Sequence, residues 1–151
     1  INVYRKENVE KAYINGLDAK LQANLLSSLQ LYGNVSYCFG QNETKDEPMR
    51  RIPPVNGRFG LNFSKNKGWI RPEFWFAGAQ ERLAQGDKDD NRIAKGGTPA
   101  WNVFNLNAGY TLKRISLTAA VQNLFDEDYR THGSGINGYG RSLWLTAEFK
   151  W

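Results

Sequence analysis

The side chains that could do chemistry are few. His132 is the only histidine in the chain. It lies between Asp128 and Ser134, so the three residue types of a hydrolytic triad fall in one short stretch. A triad needs fixed mutual geometry, and proximity within a glycine-rich loop supplies none. Gly133-Ser134-Gly135 is no nucleophile elbow either, because His132 stands where that turn needs its first glycine. The chain is therefore read as a non-enzyme. Gly133, Gly135 and Gly138 match the spacing of a dinucleotide fingerprint, but a strand follows instead of a helix. Asp87-Lys88-Asp89-Asp90-Asn91 opens like a calcium loop, yet Arg92 replaces the turning glycine and Thr98 the bidentate glutamate. An acidic loop touching the divalent ions that bridge lipopolysaccharide is the weaker reading left open there. Cys38 is the only cysteine, so no disulfide framework or cysteine zinc site is available. No metal and no cofactor is expected. The sequons at Asn34, Asn42 and Asn62 read as chance.

The elements that must position these residues show a period of two. Leu17, Ala19, Leu21, Ala23 and Leu25 alternate with Asp18, Lys20, Gln22 and Asn24, which a strand sorts onto two faces and a helix would smear. Leu29 to Phe39 and Val55 to Ser64 behave alike. In the next run Ile70, Pro72, Phe74 and Phe76 oppose Arg71, Glu73 and Trp75, with Trp75 large for a polar face. Phe104 to Lys113, Ile115 to Gln122 and Ser142 to Trp151 complete seven strands. Their connections alternate in length. Ser27-Ser28, Asn66-Lys67-Gly68 and Lys113-Arg114 are tight turns, whereas 42–54, 82–100 and 124–141 are long and polar. The result is an up-and-down meander with unequal ends.

The chain has 151 residues and a formal net charge of +5, enough for one ordinary domain. The start at Ile1 shows no secretory leader pattern, so the chain reads as cytoplasmic or as part of something longer. The basic residues look scattered, with Arg50-Arg51, Lys65 with Lys67, and Lys113-Arg114 the tightest groups. They are expected to be a solvated surface, and no nucleic-acid partner is expected. No apolar run is long enough for a membrane-spanning helix. Mean hydropathy is low, but a membrane barrel is apolar only at alternate positions and averages low as well. Periodicity cannot say whether the apolar face meets a core or lipid. Small neutral residues on the polar faces (Asn34, Asn62, Asn105, Asn107, Thr118) and unusually long strands favour a membrane barrel. Tyr37, Phe39, Trp69, Tyr110, Phe149 and Trp151 near strand ends suit interfacial girdles. The alternative is a small soluble β-barrel that binds an apolar ligand in its core.

Several stretches carry a family resemblance. Val121-Gln122-Asn123-Leu124-Phe125-Asp126-Glu127-Asp128-Tyr129-Arg130 resembles the penultimate-strand signature of TonB-dependent outer-membrane receptors. An alternating strand with a terminal aromatic follows, after Gly140-Arg141. Arg51-Ile52-Pro53-Pro54-Val55-Asn56-Gly57-Arg58 and Gly96-Gly97-Thr98-Pro99-Ala100-Trp101 resemble segments that enter strands in the same family. Gly16-Leu17-Asp18 resembles its usual strand opening.

The resemblance implies an all-β, antiparallel, up-and-down transmembrane barrel of about 22 strands around a plugged lumen. Residues 1–151 would be its C-terminal seven-strand part, with the plug and the N-terminal strands absent. It implies a bacterial outer-membrane location and TonB-dependent uptake of a scarce ligand of the iron-siderophore, haem or cobalamin class. The implied partners are outer-membrane lipid and lipopolysaccharide, the TonB complex through the missing N-terminal region, the barrel assembly machinery and a small-molecule cargo. Leu143, Leu145, Ala147, Phe149 and Trp151 would form the C-terminal assembly signal. Arg71, Glu73 and Trp75 in the lumen, with Arg130 and His132 in an external loop, are the ligand-binding candidates. The long loops would be external, the tight turns periplasmic, and residues 1–10 part of a further external loop. Seven strands leave two unpaired edges, which lipid does not tolerate, so this segment is not expected to form a stable barrel alone.

Overall fold

Alternation sorts the side chains, and the tight turns pair each strand with its neighbour. A computed structural model describes residues 11–151; the expected loop at 1–10 lies outside them. The strands are β1 (Ala12–Leu26), β2 (Leu29–Asn42), β3 (Glu47–Pro48), β4 (Asn56–Lys65), β5 (Gly68–Ala77), β6 (Trp101–Leu112), β7 (Ile115–Gln122) and β8 (Ser142–Phe149). They form one antiparallel sheet in the order β1-β2-β4-β5-β6-β7-β8, with β3 beside β2. All seven expected strands are present. The two-residue β3 is extra, as is a short helix, α1 (Gln85–Lys88), and both fall in stretches expected to be plain loop. Gly68 starts β5, so the second tight turn is Asn66-Lys67 alone. Among the described residues the sheet is open, and β1 and β8 each leave one edge unpaired.

The two faces differ as the alternation requires. One carries Leu17, Leu21, Leu61, Phe63, Phe74, Leu117, Leu145 and Phe149, exposed by 38% to 74%. The other carries Asp18, Lys20, Asn34, Arg58, Glu73, Asn105 and Thr118, matched across the strand pairs. The buried apolar side chains lie elsewhere. Ile52, Leu83, Ala84 and Ile93 come from the long connections, and Ala77 and Val103 from the strand ends beside them. The loops fold toward the polar face and leave the apolar face bare. A soluble barrel would bury the apolar set, so the soluble alternative fails here. An apolar face this broad on long strands is what lipid covers.

Trp69 corrects one expectation. It lies on the polar face, where its indole occupies the space a Cβ on Gly109 would need. It belongs to the inner wall rather than an outer girdle. Tyr37, Tyr110 and Phe149 do lie on the apolar face, 49% to 60% exposed.

Candidate functional site

The site is built where the polar face meets the long loops. Register places Lys20, Asn34, Arg58, Trp75 and Val103 in one row across five strands. The next row toward the loops runs Ser36, Asn56, Ala77, Trp101, and the row toward the turns runs Tyr32, Gly60, Glu73, Asn105. Trp75 and Trp101 are thus diagonal neighbours on one face, close enough for large rings to share a ligand.

Three loops close over this wall. Segment 43–55 is clamped to segment 78–100 by two carboxylates. Asp87 has a side chain only 1% exposed and accepts the Arg51 N–H at 3.2 and 3.3 Å, with the Arg50 Nε at 3.6 Å. Asp90 pairs with Arg92 at 2.6 Å and with Arg51 at 3.2 Å. Arg51 has φ 57, a strained value for a non-glycine residue, and its buried acceptor holds it there. Gln80 adds a buried bond from Nε2 to the Ile52 carbonyl at 2.7 Å. The stretch that opened like a calcium loop therefore spends Asp87 and Asp90 on arginines and Asp89 on the Gln85 amide, and no acidic metal cluster occurs among the described residues.

Segment 123–141 joins through His132, whose Nδ1 lies 2.9 Å from the Thr98 hydroxyl. Its form is set by Asn123, 1% exposed with φ 50. The Asn123 Nδ2 donates to the Glu127 carbonyl at 2.8 Å and the Tyr139 carbonyl at 2.9 Å, and Oδ1 accepts from the Glu127 N–H at 2.9 Å. Both limbs of the loop are pinned by one side chain. Tyr129 then packs on Trp101 with ring centres 4.7 Å apart. Ser134, His132 and Asp128 each bond elsewhere: Ser134 to Ile136, His132 to Thr98 and Asp128 to Asn137.

Three neighbouring hollows result. The largest, about 560 Å³, is lined by Arg58, Trp75, Trp101, His132 and the Pro53-Pro54 turn. A second, about 300 Å³, lies beyond Trp101 and includes Tyr129 and Arg130. A third, about 270 Å³, lies between Trp75, Tyr129 and Glu73. Of the residues expected from the sequence, Trp75 and His132 share the first hollow, Arg130 lines the second, and Glu73 the third. Glu73 accepts the Tyr32 hydroxyl at 2.7 Å. Arg71 stands apart, stacked 5.1 Å from the Trp69 ring nearer the turns. Sequence reasoning missed Arg58, Trp101 and Tyr129. Arg58 was legible as a polar-face residue, but its place beside Trp75 follows only from register.

The His132 Nε2 is buried and has no hydrogen-bond partner among the described residues. Burial pushes the imidazole below its ordinary 6.5, and Asp87 opposes that shift more weakly. A lowered histidine favours the neutral form in the folded loop, so its stability contribution is complete above about 6.5 and falls as pH drops below it. Loop 123–141 is accordingly expected to show lower amide protection factors, each taken against the intrinsic exchange rate at its own pH, at pH 5 than at pH 7.5. The variant His132→Gln is expected to flatten that difference; an equal pH response in the variant would refute the assignment.

On β8, Leu143, Leu145 and Phe149 project from the bare face at 63%, 74% and 60% exposure, and Trp151 lies fully exposed past the strand end. Comparison with known proteins agrees with this architecture. The family model described as TonB dependent receptor-like, beta-barrel matches residues 1–124. No curated protein matches. Among solved structures, a copper transporter, OprC, superposes with a TM-score of 0.77 at 23% identity over 91% of this chain. A mutant of the ferric enterobactin receptor PfeA from Pseudomonas aeruginosa superposes at 0.74, with 20% identity over 94% of this chain. The chain spans 23% of the length of each.

Proposed function

Because the chain belongs to the TonB-dependent receptor-like β-barrel family, a family of bacterial outer-membrane proteins, we propose that residues 1–151 form the C-terminal sector of a receptor that imports a scarce, bulky ligand. In this reading the bare apolar face meets lipid, the tight turns face the periplasm, and the three long loops form part of the external mouth. The TonB complex would act through the N-terminal region of the longer receptor. Leu143, Leu145, Ala147, Phe149 and Trp151 would be read by the assembly machinery.

The observation that carries the proposal is the hollow at the loop end of the polar wall. Its lining combines two indoles, one guanidinium and the ring of His132. That chemistry suits a large organic complex with flat apolar faces and some negative charge, consistent with the siderophore, haem or cobalamin classes. A bare metal ion takes several N, O or S donors at short range, and no group of three His, Cys, Asp or Glu side chains that could hold one occurs among the described residues. Import here is binding followed by gated passage, with no bond made or broken.

Trp75 and Trp101 allow a direct test, since a ligand between them quenches their fluorescence. In the full receptor, the Trp101→Ala and Arg58→Ala variants are each expected to weaken cargo binding by about tenfold or more, the size of a lost anchor of ~1.5–3 kcal/mol. Arg71→Ala is expected to leave it unchanged. A ligand panel of ferric siderophores, haemin and cobalamin, titrated against the wild type, identifies the cargo class. Binding with equal affinity to the wild type and both hollow variants would overturn the site.

A further inference from the structure

The chain's positive charge is not spread over its surface. The long connections are close to balanced. Segment 43–55 holds Glu43, Asp46 and Glu47 against Lys45, Arg50 and Arg51; segment 78–100 holds four of each sign; and 123–141 holds three acids against two bases. The tight-turn end holds Lys65, Lys67, Lys113, Arg114 and Lys150 against Glu148 alone. Nearly all of the net +5 therefore sits at that end.

The fold gathers these residues from three separate stretches. The Thr111 N–H bonds the Lys67 carbonyl at 2.8 Å, and the Lys150 N–H bonds the Arg114 carbonyl at 2.8 Å. The turn at Asn66-Lys67, the turn at Lys113-Arg114 and the end of β8 thus lie side by side along one rim, about 10 Å between consecutive turns. All five cations are exposed. Among the described residues only Lys150 has a carboxylate nearby, Glu148 at 3.9 Å, itself 62% exposed.

We propose that this rim binds the anionic headgroups of the periplasmic leaflet, phosphatidylglycerol in particular. The inference rests on the membrane-spanning reading above and adds the lipid partner. A membrane is favoured over an acidic protein because apolar residues adjoin the cations without a gap. Phe63 precedes Lys65 on the bare face, and Ile115 and Phe149 flank the Arg114 turn, at 40%, 41% and 60% exposure. Lipid tails against the aromatic and aliphatic band place their phosphates at the height of the lysines, whose stems reach along apolar surface to the headgroups.

The test uses the full receptor reconstituted in phosphatidylcholine bilayers with trace spin-labelled lipid. The relative association of labelled phosphatidylglycerol over labelled phosphatidylcholine is read by electron paramagnetic resonance. About a fivefold preference is expected at low salt. It should fall toward one in 1 M salt, where the screening length shrinks to about 3 Å. It should fall likewise in a variant carrying Lys65→Gln, Lys67→Gln, Lys113→Gln and Arg114→Gln. The pair Lys65→Gln with Lys67→Gln gives a milder version, expected to lose about half the preference. A receptor that inserts yet shows no preference, or one that the substitutions leave unchanged, overturns the rim assignment, whatever acidic protein binds there instead. A receptor that fails to insert at all overturns the spanning reading beneath it.

Discussion

Arginine in place of Leu61 is expected to block stable insertion of the receptor, whereas arginine in place of the adjacent Asn62 is expected to be tolerated. Leu61 lies midway along β4 on the bare face, 38% exposed, and Asn62 lies on the polar wall opposite Gln30. A charge on the lipid face near the bilayer centre costs about 2–4 kcal/mol, while lumen substitutions are far cheaper. The two sites differ by one residue and share a strand, so local propensity cannot explain a difference between them. Heat-modifiable gel mobility of the membrane fraction reports folding. Equal loss for both variants would mean that the polar face is packed as tightly as a core; equal tolerance would mean that the apolar face does not meet lipid.

Removing the Asp87 carboxylate is the second large effect expected, and it is confined to the loops. Asp87→Ala leaves the Arg51 N–H without its acceptor and removes the support for a left-handed residue. Breaking a buried ion pair costs about 3–5 kcal/mol, but Arg50 and Arg51 are roughly half exposed, so solvent offsets part of that. A local loss of about 2 kcal/mol is expected, which speeds amide exchange in 43–55 about 30-fold. Asp87→Asn keeps one acceptor for the Arg51 N–H and should lose about half as much. The strands should be unaffected. Unchanged exchange in 43–55 would show that Gln80 and the short β3 pairing hold the loop without the clamp.

The faces of the sheet were legible because lipid and lumen impose opposite demands at alternate residues, and Leu61 and Asn62 carry that signal in their own types. The fold class followed from this, as did the placing of Trp75 on the inner wall. Trp69 was misassigned because its position near a strand end suggested a girdle, although its phase with Arg71 already pointed inward. Register was not legible. Arg58 and Trp75 become neighbours only through the pairing of β4 with β5, which depends on turn geometry rather than on either residue. Contacts between loops were hidden for a related reason. Asp87 resembled a cation ligand because its partners, Arg50 and Arg51, belong to a different connection. The rim was hidden too: Lys65, Lys113 and Lys150 are far apart in the chain, and only the meander brings them together.

The central claim is that the apolar face of this sector meets lipid in a membrane-spanning barrel. The most direct measurement is a nitroxide scan along β4 in the reconstituted full receptor, one label at a time at positions 58, 59, 61, 62, 63 and 64, leaving out Gly57 and Gly60, where a Cβ has no room. Collision with oxygen, which concentrates in lipid, is compared with collision with a water-soluble nickel chelate. Labels at 59, 61 and 63 are predicted to favour oxygen, and labels at 58, 62 and 64 are not, giving an oscillation with a period of two. A flat profile, or an oscillation of opposite phase, would contradict the account.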